Sequence, residues 1–235
     1  MATATASRRD ILHRRIRLIV GVTIGYNLIE AVIAITAGSV ASSAALVGFG
    51  LDSTIEVLSA AAVAWQFTRR DPERWEKPTL RVIAVAFFAL AIYVTATSLT
   101  ALFTAERPEH STIGIVLTAV SVAIMPFLSY AERRAGRELG SATAVADSKQ
   151  TLICTYLSAA VLVGLVANSL LGWWWADAVA GLVIAAFAVR EGIEAWRGDA
   201  CATSVGMLLE DEDDEHHDHD HQHDHDHQQH DHHRR

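Results

Sequence analysis

Two carboxylates, Asp52 and Glu56, stand four residues apart inside the stretch "FGLDSTIEVLSA" (49–60), with "SSAALVG" before it and "AAVAW" after it. Burying one charge among such residues is costly, and a second of the same sign adds to the cost. A bound dication would offset both. Donors for the rest of its shell come from a second stretch. "VGFGLDSTIE" (47–56) overlies "VADSKQTLIC" (145–154) without a gap, which sets Gln150 against Asp52 and Cys154 against Glu56. Both pairs are spaced i, i+4, so each presents two donors on one helix face. Three oxygen donors and a sulfur suit a tetrahedral Zn²⁺-like ion, and a thiolate favours softer metals. The alternatives are a buried polar network or a Lys149 partner for the acids, plain packing for Cys154, and an interhelical hydrogen bond for Gln150.

These donors need elements that bring them together. The chain is 51% hydrophobic. Its apolar residues gather into six segments near the length of about 20 that crosses a bilayer. The segments are roughly 16–38, 42–67, 79–103, 112–131, 142–171 and 173–195. The breaks between them are "AGSVASS", "TRRDPERWEKP", "AERPEHS", "ERRAGRELGS" and the tryptophan-bearing turn "LLGWWWAD". Arginines and lysines cluster before the first segment, between the second and third, and between the fourth and fifth, while Arg107 stands alone on the other side. That asymmetry predicts an all-α membrane protein with six transmembrane helices and both termini cytoplasmic. Segments two and five then run antiparallel. At 1.5 Å per residue Glu56 and Cys154 each lie about 18 Å from the inner end of their helix, near mid-membrane. Gly, Ala and Ser in segments one and two predict close helix approach, and Pro126 either kinks segment four or is simply tolerated.

Other polar residues have two readings each. Asn27 and Glu30 share a face of segment one. Glu30 is either a proton carrier or a partner that orients a ligand, the alternative being an ordinary hydrogen bond. Asp147 is either a cytoplasmic entry ligand or an ion-pair partner. Asp177 suits the N-cap of segment six, where its charge meets the helix N-terminus. Cys154 and Cys201 are too few for a disulfide framework.

From Glu210 to Arg235 the chain holds eleven acids and two arginines, which accounts for all of its net charge of −8 and leaves the rest slightly positive. Ten of the twelve histidines fall in the same stretch, among them His216, His217, His219, His221, His223, His225 and His227. This low-complexity composition predicts a disordered segment that gathers metal on the cytoplasmic side; an acidic, pH-responsive solvating tail is the alternative. Three regions follow: a basic N-terminus (1–15), a six-helix domain (16–198) and a His/Asp-rich tail (199–235).

"SAALVGFGLDSTIEVLSA" resembles the second span of cation diffusion facilitator transporters, "AVADSKQTLICTYLSA" resembles their fifth, and "WWWADAVAGLVIAAFAVREG" is similar to their sixth. The resemblance covers about residues 16–198. It implies export of Zn²⁺ or a related divalent cation in exchange for protons, with Asp52, Glu56, Gln150 and Cys154 at the ligand positions. The family's usual pairs there are His/Asp, and the Asp that precedes the first ligand in span two is Phe49 here, whereas Asp147 keeps it in span five. No counterpart of the family's soluble C-terminal domain is expected in the 38 or so residues after span six. The expected function is therefore divalent-metal transport, with Zn²⁺ first and Cd²⁺, Co²⁺, Ni²⁺, Fe²⁺ and copper as alternatives. Protons and the lipid bilayer are the other expected partners, the resemblance implies a homodimer, and the expected location is the plasma membrane. A metal sensor or buffer without transport is the competing reading, against which mid-membrane ligands argue. No resident cofactor, no nucleic acid and no enzyme activity is expected, since HExxH, GxSxG and phosphate-loop motifs are absent.

Overall fold

A computed structural model describes residues 2–67, 72–105, 107–139 and 142–198; the side chains of residues 2–10, 142–147, 149 and 150 are among those outside the description. The described chain forms six helices: α1 (Ala2–Ala41), α2 (Ala44–Phe67), α3 (Pro72–Thr104), α4 (Thr112–Leu139), α5 (Ala142–Leu171) and α6 (Trp174–Arg197). In hydrocarbon every backbone N–H and C=O must be satisfied within the segment, and a helix does this residue by residue. Five of the six contain stretches long and apolar enough to cross a membrane: Leu18–Ala41, Ala44–Ala62, Lys77–Thr104, Thr112–Ala135 and Thr151–Leu171. Helix α6, which carries Asp177, Arg190, Glu191 and Glu194, is not among these five.

Helix ends fall where the sequence places them, with three differences. Helix α1 includes the basic stretch expected to precede the first span, so residues 2–15 continue that helix. Helix α3 begins at Pro72, inside the expected break, where proline's missing N–H costs nothing in the first turn. Helix α4 runs on through "ERRAGREL" to Leu139. That charged stretch looks like a loop, yet Thr118, Ser121, Met125, Ser129 and Glu132 are all buried at steps of three and four residues. One face of α4 therefore packs against protein as far as Glu132 and Ala135, into the charged stretch. Helix α4 is continuous through Pro126.

The helices close into a ring in the order α1, α2, α3, α6, α5, α4 and back to α1, with α2 also reaching α6 and α5 across the middle. One apolar core joins Ala34, Leu46, Phe49, Leu157, Val161 and Ile184, and so α1, α2, α5 and α6. A second joins Ala84, Phe87, Leu90 and Val94 of α3 to Ala185 and Ala188 of α6. Phe49, at the position where the family resemblance would place an acid, is the largest fully buried side chain among the described residues. Close approach of α1 and α2 depends on missing side chains. A Cβ on Gly50 would lie 2.9 Å from the backbone nitrogen of Ile35, and one on Gly38 would lie 2.7 Å from that of Val47.

Burial is inverted relative to a water-soluble bundle. Leu28, Ile29, Val32, Ile92, Phe103, Phe127, Val163 and Leu170 are exposed, while Asn27, Glu30, Asp52, Glu132 and Asp177 are buried. Apolar outside and ionisable inside is the pattern that a lipid solvent imposes.

Candidate metal centre

Helix α2 places Asp52 and Glu56 on one face because four residues make slightly more than one turn. That face turns toward α1 and α5. Asp52 is buried and Glu56 half-buried. Glu56 is held at both oxygens. The Asn27 side-chain amide donates to Oε2 at 2.8 Å, and the Cys154 thiol donates to Oε1 at 2.7 Å. The depth match between Glu56 and Cys154 is thus realised as direct contact between α2 and α5. Asp52 is close enough for Glu56, Glu191 and Glu30 to act on it through space, so several acids share this region.

Asn27 and Glu30 serve different partners despite sharing a face of α1. Asn27 orients Glu56. Glu30 accepts from Ser53 of α2 at 3.0 Å and from Ser121 of α4 through a short hydrogen bond, and Ser121 is also 2.7 Å from the Tyr26 hydroxyl. The three hydroxyls surround a carboxyl that is 2% exposed and join α1, α2 and α4.

Asp177 is not the N-cap of α6. Trp173 holds that place and makes no side-chain capping bond. Asp177 lies within the first turn and reaches across to the start of α2, accepting from Ser43 Oγ at 2.5 Å and from the Ala45 N–H at 3.5 Å. Ser43 Oγ itself accepts from the Leu46 N–H at 3.1 Å. The carboxyl therefore caps a neighbouring helix, satisfying donors that its own helix does not share.

Glu132 has no place in the sequence reading because it sits among charges taken for a loop. It is 1% exposed and accepts from Thr151 Oγ1 at 3.4 Å, while Ser129 Oγ donates to the Ser148 carbonyl at 2.6 Å. The two bonds fasten α4 to α5 three to six residues before Cys154. The helical spacing of Ser121, Ser129 and Glu132 is the signal that marks them. Glu191 of α6, near enough to act on Asp52, has no place in the sequence reading either.

The side chains of Asp147 and Gln150 lie outside the described residues, as does the whole His/Asp-rich tail with His216, His217, His219, His221, His223, His225 and His227. Among the described residues, no three His, Cys, Asp or Glu side chains gather closely enough to hold an ion. What the described part assembles is a two-helix contact, Glu56 with Cys154, flanked by Asp52 and oriented by Asn27.

Comparison with known proteins bears on the whole bundle. Over 86 residues the chain is 31% identical to the cation-efflux pump FieF of Shewanella oneidensis, a match covering 37% of this chain and 29% of that protein. The aligned part is thus less than a third of that relative's length. The model of the cation efflux transmembrane domain matches residues 20–197, which takes in the second half of α1, all of α2 to α6 and both halves of the Glu56–Cys154 contact. The chain belongs to the cation efflux family.

Proposed function

We propose that this protein carries divalent transition-metal cations across a membrane, exporting them from the cytoplasm in exchange for protons, with Zn²⁺ as the first candidate. Asp52, Glu56, Cys154 and Gln150 would bind the ion. The observation that carries the proposal is the 2.7 Å contact between Glu56 Oε1 and Cys154 Sγ, which joins α2 to α5 in the middle of the bundle. The thiol proton directed at Glu56 occupies the place a cation would take. For metal to bind both groups, that proton must leave, so metal and proton compete for one position. Asn27 keeps Glu56 oriented while its partner changes. Asp52, one turn away, joins the shell when α2 and α5 shift relative to each other, as alternating access requires.

The distribution of arginine and lysine supports a cytoplasmic location for both termini, with α6 as the sixth span. Of its acids, Asp177 accepts hydrogen bonds from Ser43 and Ala45 at the start of α2, which makes its position in that helix compatible with spanning. The His/Asp-rich tail then faces the compartment from which metal is taken and raises its local concentration.

The deciding experiment uses the purified full chain in liposomes with an imposed pH gradient. Zn²⁺, Cd²⁺, Co²⁺, Ni²⁺, Fe²⁺ and Mg²⁺ are offered in turn, and internal metal and internal pH are recorded together. Saturable uptake of a transition metal coupled to proton movement is the expected result. Metal binding with no movement under any gradient would replace this reading by that of a sensor or buffer.

A further inference from the structure

Two of the helices that overrun the expected spans, α1 and α4, form a cleft. The basic start of α1 and the charged end of α4 enclose a volume of 930 Å³ lined by Ile11, Arg14, Arg15, Leu18 and Ile19 on one side. Tyr130, Ala131, Arg134, Ala135 and Glu138 line the other. Both sets lie at helical steps on one face of their element. Three arginines and a single acid give the cleft a net positive charge. Arg134 pairs with Glu138 at 3.3 Å, an exposed i, i+4 pair, whereas Arg14 and Arg15 make no ion pair among the described residues. The cleft's depth follows from the same helices. The apolar stretch of α1 begins at Leu18 and that of α4 ends at Ala135. Arg14 and Arg15 therefore stand one turn before the apolar stretch of α1, Arg134 stands at the end of that of α4, and Leu18 and Ile19 open the first.

We propose that this cleft binds the headgroup of an anionic phospholipid. Its phosphate sits among Arg14, Arg15 and Arg134, within reach of the Tyr130 hydroxyl, and an acyl chain descends along Leu18 and Ile19. Charge complementarity selects the occupant. A phosphate held by guanidinium groups makes strong charge-assisted hydrogen bonds. A basic cleft at the end of the apolar spans also meets lipid phosphates in the ordinary course of insertion. The apolar lower wall favours a lipid over a free anion, because only a lipid covers Leu18 and Ile19 as well as the arginines. The site needs α1 and α4 to span a membrane and is independent of which cation, if any, is transported.

The test is native mass spectrometry of the full chain in detergent, titrated with phosphatidylglycerol, phosphatidylcholine or inorganic phosphate. The native protein should retain one phosphatidylglycerol at concentrations where phosphatidylcholine is not held, and millimolar phosphate should not displace it. The double variant Arg14→Gln/Arg134→Gln should lower retention at least fivefold. Arg137→Gln, which removes the same kind of charge near the end of α4 without lining the cleft, should leave it unchanged. Equal losses in the double variant and in R137Q would overturn the proposal in favour of diffuse surface charge. Displacement by phosphate alone would overturn it in favour of a free-anion site. Arg15→Gln alone should give an intermediate loss, and its comparison with R137Q separates the same outcomes should the double variant be recovered in low yield.

Discussion

The Glu56 carboxylate and the Cys154 thiol, 98 residues apart in the chain, meet at 2.7 Å between α2 and α5. Of the cysteine, only the thiol reaches the acid: its backbone carbonyl accepts from Ser158 one turn further along the same helix. Glu56 is shared between this contact and Asn27, so three helices converge on one side chain. Each end of that arrangement can be tested.

Glu56→Gln and Asp52→Asn keep size and helix propensity while removing charge. Each is expected to reduce metal uptake into inverted vesicles by at least 100-fold, with the protein still folded and inserted. Uptake within a factor of three of native in either variant would exclude that residue from the ion's shell. Native uptake should itself need more metal as pH falls, because protons hold the same ligands.

Asn27→Ala removes the amide donor to Glu56 without touching a ligand. A lost partner of this kind lowers metal affinity by roughly 10- to 100-fold in known sites. The expected signature is a raised metal concentration for half-maximal transport with a maximal rate within about threefold of native, an affinity effect of the size given for orienting partners. Asn27→Asp, which replaces the donor by a like charge, should be worse than Asn27→Ala.

Gln150→His together with Cys154→Asp exchanges a soft donor for a hard one and adds an imidazole. The relative rates for Cd²⁺ and Zn²⁺ should move toward Zn²⁺. An unchanged metal profile, measured in liposomes across the full panel, would make both positions packing residues.

Asp177→Ala strips the cap from α2 and leaves Ser43 and the adjacent backbone donors unsatisfied in a buried place. The cost is about 1–3 kcal/mol, the range for an orphaned buried donor. Thermal unfolding in detergent should report it as a lowered midpoint, with Asp177→Asn intermediate. Metal affinity of the protein that remains folded should be unaltered, since Asp177 contacts the start of α2, well over two turns from Glu56.

Ending the chain at Met207 removes the histidine-rich tail and none of the described helices. The half-maximal metal concentration should rise while transport at saturating metal persists, as expected for a tethered weak binder. An inserted but inactive truncation, assayed at saturating metal, would place the tail in the mechanism itself.

Much of this protein is written locally. Six helices, their approximate ends and the i, i+4 pairing of Asp52 with Glu56 follow from apolar run length and helical period, which act over a few residues. The equal depth of Glu56 and Cys154 also follows, because rise per residue is fixed once two helices are antiparallel. What the sequence could not decide is which neighbour each polar face meets. Asp177 looks like a cap for the helix it begins, and only the packing of α6 against α2 turns it onto Ser43. Asn27 and Glu30 look like one unit, yet α2 takes Asn27 to Glu56 while α2 and α4 together enclose Glu30. The charged end of α4 reads as a loop until α5 is in place to bury Glu132 beside Thr151. Helix formation is local and so legible in the chain, whereas the partner of a buried polar group depends on the rotation and order of helices, which packing alone sets.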